Sequence, residues 1–95
     1  MRVAVSEAIR DIALGLVKHK LERRMKEKGA GSYTSPHEIV GWLKEEFEEF
    51  VVEARHADKY SPGKANERLI GELADIAVAA IFGIASITAG GLERY

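Results

Sequence analysis

Apolar residues recur at three- and four-residue intervals along the first part of the chain: Val5, Ile9, Ile12 and Leu16, then Leu21 and Met25. That period marks an amphipathic helix from about Val3 to Lys28, whose other face reads as solvated charge. A second run, Ile39, Leu43, Phe47, Phe50 and Ala54, keeps the same period and follows Ser35-Pro36-His37-Glu38. Ser35 can cap a helix, Pro36 suits the first helical position and Glu38 can complete a capping box. The spacing predicts a helix from there to about His56 or Asp58. Ser61-Pro62-Gly63 then breaks the chain. A third helix, from Lys64 or Glu67 to Ala89, is apolar almost all round after Leu73, so neighbours must cover every side of it.

Glycines gather at Gly29 and Gly31, at Gly63 and at Gly90 and Gly91, where helices would end. The expected fold is therefore all-α, a bundle of three main helices in one domain spanning residues 1–95, too short for two domains. Three helices of one copy would struggle to cover the third. A symmetric homodimer, or a tetramer, would pool helices into a larger bundle and bury that surface. The stretch from Ile76 to Ala89 has no charge but falls short of the ~20 residues a spanning helix needs. With Asp75 at its mouth, it reads as a buried core helix, and no membrane partner is expected.

Composition narrows the function classes. The chain is 46% apolar and 31% charged, too apolar for intrinsic disorder. Its formal net charge of -1 gives no electrostatic reason to seek nucleic acid or anionic lipid, so any anion site must be local. There is no cysteine, which removes disulfides, thiolate nucleophiles and sulfur-ligated zinc. The N-terminus lacks the apolar core of a secretory signal, and a cytoplasmic setting is the default. Neither a Gly-rich phosphate loop nor a nucleophile arrangement is present.

The chemistry lies in the acids. Lys44-Glu45-Glu46-Phe47-Glu48-Glu49-Phe50 puts Glu46 and Glu49 three apart on one side of the second helix, with Glu53 one turn on. At about 100° per residue Glu46 falls at the edge of the apolar stripe near Trp42, while Glu48 points to solvent. Glu72-Leu73-Ala74-Asp75 repeats the spacing on the third helix, in otherwise apolar surroundings where unpaired charge is costly. Two such pairs facing each other repel unless a cation sits between them. Oxygen-only ligation favours a hard ion such as magnesium, which completes its shell with water and phosphate. Beyond Asp75, the same face carries Ala79, Gly83 and Ser86, small residues suited to close helix packing.

Glu45-Glu46-Phe47-Glu48-Glu49 followed by Glu72-Leu73-Ala74-Asp75 resembles the E-E-x-x-E and E-x-x-D signature of the MazG-like nucleotide pyrophosphohydrolases, over roughly Tyr33 to Ala89. The resemblance implies an all-α bundle assembled as a dimer or tetramer. It makes Glu46, Glu49, Glu72 and Asp75 ligands of Mg2+, with Mn2+ a possible substitute, and Glu45 a residue that orients water or a neighbour. The reaction it implies is hydrolysis of a nucleoside triphosphate to monophosphate and pyrophosphate by a metal-activated water. Glu45 or Glu49 would accept the proton. The turns after Asp75 depart from many members in having no basic or amide residue to grip phosphate. Candidate grips are Lys44, Arg55, Lys59, Lys64 and Arg68 near the joint between the second and third helices, or Lys18 from the first. Trp42 or Tyr33 could stack on the base.

Three other readings compete. A run of Glu on a helix is often only a solvated face. Glu53-Ala54-Arg55-His56 is an E-x-x-H pair that resembles the iron-binding motif of ferritin-like bundles, with Glu49 or Glu72 recruited beside it. It leaves Asp75 and the Glu45-Glu46 doublet without a role, and His56 falls near a helix end, where histidine commonly stabilises the terminus. A non-catalytic helical interaction module is the third.

Overall fold

The computed structural model describes residues 2–92. It contains three long helices, α1 (Glu7–Lys28), α2 (Pro36–Arg55) and α3 (Pro62–Thr88), with a short 3-10 turn at Ala57–Lys59, and no strand among the described residues. The all-α expectation holds, and each helix boundary has a local cause.

α1 starts at Glu7 rather than near Val3 because Ser6 caps it, its Oγ accepting from the Ile9 N–H at 3.2 Å. It stops at Gly29, whose φ of 82° ends the helix at little cost only for a residue without Cβ. α2 opens with the expected Ser35 cap and Pro36 at its first position, but Glu38 does not close the capping box. The Glu38 N–H donates to Ser35 Oγ, while the Glu38 carboxylate accepts from the Thr34 hydroxyl at 2.7 Å. At its end the His56 N–H reaches back to Val52 and Glu53 carbonyls. α3 begins at Pro62, earlier than the expected Lys64, since a proline at the first helical position forfeits only an N–H that has no intrahelical partner. Ser61-Pro62-Gly63 thus both ends one segment and opens the next.

α3 is the central element, with α2 packed along one side and α1 along the other. The buried residues lie almost wholly on it: Ala65, Ala74, Val78, Ala79 and Phe82, with Ser86 and, beyond the helix, Leu92. The small residues after Asp75 are buried, and Gly83 makes room for the Ile39 side chain, since a Cβ there would stand 3.1 Å from Ile39 Cγ2. Ile39 opposite Gly83, Glu46 opposite Asp75 and Glu53 opposite Arg68 fix α2 and α3 in antiparallel register. Above them Tyr33, Trp42 and Phe82 form a triangle of edge-to-face rings with centroids 5.2–6.2 Å apart. The Ser86 hydroxyl donates to Phe82 O and accepts from the Tyr33 N–H, tying the α1–α2 loop to α3.

α1 has no buried residue at all. Ile9, Ile12 and Leu16 on α1, with Ile70, Leu73, Ile81, Ile84 and Ile87 on α3, stay exposed, Ile84 by 65%. The central helix is therefore covered on only part of its surface in a single chain. Total accessible surface is 7250 Å², against about 5,400 Å² for a compact monomer of this size. The radius of gyration is 15.3 Å, against about 12 Å. By length and composition the 27-residue α3 could cross a membrane, and a third of its most apolar stretch is buried.

Candidate metal centre

Antiparallel register sets the two acidic pairs face to face. One carboxylate oxygen from each of Glu46, Glu72 and Asp75 lies within 4.8 Å of the others, and all three residues are half-buried. Glu49, the fourth expected ligand, is exposed and lies outside this triad, close enough for its charge to act on Glu46 and Glu72. Burial raises the pKa of Glu46 and of Glu72, and the charges of Glu49 and Asp75 push both further up. The Trp42 indole N–H donates to Glu46 Oε1 at 3.3 Å and opposes part of the shift. Glu46 Oε2 and Glu72 Oε2 are buried without a hydrogen-bond partner among the described residues. Two orphaned carboxylate oxygens in an oxygen-only set are what a hard divalent ion would satisfy, so the residues present fit magnesium or manganese.

One cation is already at the cluster. Lys20 reaches across from α1, its Nζ donating to Asp75 Oδ1 at 2.7 Å and to the Gly71 carbonyl at 2.9 Å. Lys20 also stands where two hollows meet. The first, a cleft of about 350 Å³, opens between α1 and α2 over α3. Its acidic side is Glu46 and Asp75, and Trp42 and Val78 close it. Its other side is α1, which presents Lys20, Arg23, Arg24 and Lys28, with Glu27 among them. Arg24 lies over Trp42, its guanidinium carbon 3.7 Å from the ring centre.

The other expected residues distribute around this centre. Lys64 and Arg68 line the second hollow with Glu53, Glu72 and Asp75. Arg68 is already held by Glu53 in a two-point ion pair, at 2.8 and 2.6 Å, and lies over Tyr60. That pair lowers the Glu53 pKa and raises that of Arg68, and it takes Glu53 out of the free acids. Glu45 is exposed and shares a third hollow with Glu48 and Glu49, on the outer side of the acids. Lys44 pairs loosely with Glu48 at 4.0 Å on the solvated face of α2, and Lys18, Arg55 and Lys59 are exposed. His19 and His37 are exposed too, as expected of surface histidines, and so is His56. Tyr33 is held edge-on by Trp42 and Phe82; burial raises its pKa, the Arg24 charge opposing.

Lys20, Arg23, Arg24 and Lys28 had no place among the expected site residues. The signal was present: at about 100° per residue, Lys20, Arg23 and Arg24 fall on the side of α1 that carries Ile9, Ile12 and Leu16. The packing face of α1 is apolar in its first half and basic in its second. Comparison with family models, with curated proteins and with solved structures finds no match to this chain.

A pH effect follows from the raised carboxylates. A folded-state pKa above the unfolded value gives stability that is present below the ordinary carboxylate pKa of 4.5 and is lost as pH rises through the raised value. The metal-free protein is expected to melt lower at about pH 7 than at about pH 5 on this account, and added Mg2+ to raise Tm more at the higher pH. Scanning calorimetry with EDTA or excess Mg2+ checks this; a melting point indifferent to Mg2+ at neutral pH would count against a cation site.

Proposed function

We propose that this chain is a magnesium-dependent nucleoside triphosphate pyrophosphohydrolase of MazG-like type, acting as a homodimer or tetramer. The observation that carries the reading is the set of carboxylates on facing helices, two of them with buried oxygens that lack a hydrogen-bond partner among the described residues. Glu46, Glu72 and Asp75 would hold the ion, with Glu49 beside them. When bound, magnesium lowers the pKa of a water and polarises phosphoryl oxygens. The water oxygen bonds to the α-phosphorus, the bond from that phosphorus to the bridging oxygen breaks, and pyrophosphate leaves with the electron pair. Of the two carboxylates expected to take the water's proton, Glu49 is adjacent to the triad and is the better placed.

The exposed apolar seam on α1 and α3 supports assembly, because the surface in excess of a compact monomer exceeds the ~800 Å² per partner of an ordinary interface. Glu72, Asp75 and the Lys20 ion pair midway along α3 favour water over bilayer for this helix, and a nucleotide substrate goes with a cytoplasmic setting. The iron reading is weaker, since Glu53 is engaged by Arg68 and His56 is exposed at the helix end.

The test is incubation with Mg2+ and a panel of ribo- and deoxyribonucleoside triphosphates, with monophosphate and pyrophosphate resolved and Fe2+ as a control. Pyrophosphate release that requires Mg2+ is expected. No release from any nucleotide by a fully helical protein would overturn the reading in favour of a non-catalytic interaction module.

A further inference from the structure

The cleft between α1 and α2 has two walls of opposite sign, and the acidic one accounts for only half of it. On the other, Lys20, Arg23, Arg24 and Lys28 follow one another at intervals that keep them on one side of α1, over about 12 Å of helix. Their present partners leave capacity to spare. Lys20 is bound to Asp75, and Arg23 meets Glu27 only at 3.7 Å with both side chains well exposed. Among the described residues no carboxylate pairs with Arg24 or Lys28. Arg24 is instead held over the Trp42 face with the Tyr33 hydroxyl beside it, and a guanidinium with no carboxylate partner keeps N–H donors for the oxygens of a phosphate.

We infer that this wall of α1 is a polyphosphate subsite, which holds the pyrophosphate half of the substrate while the acids hold its reacting end. The inference rests on the hydrolase reading and adds a direction to it. The chain of phosphates runs from the triad past Lys20 toward Lys28. The four cations exceed the three acids of the cleft, Glu27, Glu46 and Asp75, by one, and a divalent ion would be offset by Glu72 and Glu49 beside it, so the fit to pyrophosphate rests on length: cations spaced over about 12 Å of helix reach beyond a single phosphate. Trp42 then has a different role from the expected base platform. Its ring is covered by Arg24 at 3.7 Å, and it acts as a positioning residue for that guanidinium.

Calorimetric titration with inorganic pyrophosphate, with and without Mg2+, tests the wall without turnover, and a nucleoside monophosphate serves as comparator. Arg24→Ala is expected to weaken pyrophosphate binding about tenfold or more, the usual loss for charge-assisted hydrogen bonds, and to leave the monophosphate nearly unaffected. Lys28→Ala, at the exposed end of the row and without a folding role, is expected to change binding in the same direction by less. Pyrophosphate that fails to bind the wild type, or binds Arg24→Ala and Lys28→Ala as tightly as wild type, overturns the subsite. Loss of pyrophosphate affinity in these variants, in a protein that shows neither Mg2+-dependent turnover nor heat with Mg2+ alone, would refute the hydrolase and uphold the polyphosphate site.

Discussion

Asp75→Asn is expected to reduce Mg2+-dependent kcat/KM by about 10³-fold or more while the protein stays folded. A divalent ion supplies several kcal/mol of charge stabilisation, and each 1.36 kcal/mol is about tenfold in rate. Asp75 is one of three carboxylates that meet within 4.8 Å, and an amide at that position keeps the shape but removes the charge that holds the ion. The stability cost is small for two reasons. The Lys20–Asp75 pair is more than one-third exposed on both sides, a setting in which ion pairs contribute at most ~1 kcal/mol. The substitution also removes repulsion, because Asp75 is among the charges that raise Glu46 and Glu72. Glu46→Gln is expected to behave alike, with the Gln oxygen still able to accept from the Trp42 indole. Steady-state pyrophosphate release and Mn2+ binding by paramagnetic resonance check both variants. Asp75→Asn turnover within about tenfold of wild type would place the chemistry elsewhere.

What was legible in the chain, and what was not, divides along the strength of helix packing. Glu46, Glu72 and Asp75 could be brought together from periodicity because α2 and α3 pack along their length, with Ala79, Gly83 and Ser86 buried and the Ile39 side chain seated on Gly83. Once Ile39 opposes Gly83, the antiparallel register carries Glu46 to Asp75 without further information. α1 has no such lock. It is held by partly buried contacts to α3 and by two long side chains, Lys20 to Asp75 and Arg24 to Trp42. Those contacts depend on rotation of α1 about its axis, which a basic run with intervening Leu21 and Met25 leaves open. From sequence alone the charged side of α1 reads as solvated, and the phosphate grips it suggests are Lys44, Arg55, Lys59, Lys64 and Arg68, with only Lys18 from α1. The α2 start is legible because Ser35 is followed by Pro36 and Glu38, whereas Ser6, which also caps through its side chain, stands among apolar residues without a proline, and Ser61 caps without a side-chain bond.

Ile84→Glu is expected to convert the assembly to monomers and to lower the melting temperature. Ile70, Leu73, Ile81 and Ile84 recur along α3 at three-, eight- and three-residue steps, beside Ile9, Ile12 and Leu16 on α1. Between the two helices runs an apolar groove, lined by Leu16, Val17, Ile70, Leu73 and Ala77 among others. A second copy placed on this seam would cover the least protected side of the central helix. Full burial of one isoleucine is worth about 1.5–3 kcal/mol. In a two-fold interface the change occurs twice, so about 3–6 kcal/mol is lost, a rise of about 10²–10⁴ in the dissociation constant. Leu14→Glu, at a position 69% exposed and turned away from Ile12 and Leu16 by about 200° of helix rotation, is the matched control and should leave the assembly intact. Light scattering on a sizing column reads both. Wild type eluting as a single chain, or Ile84→Glu retaining the wild-type mass and Tm, would mean that the seam is not the contact. α1 would then be held to α3 only by the interactions seen within one copy, and the basic wall it carries would move with it.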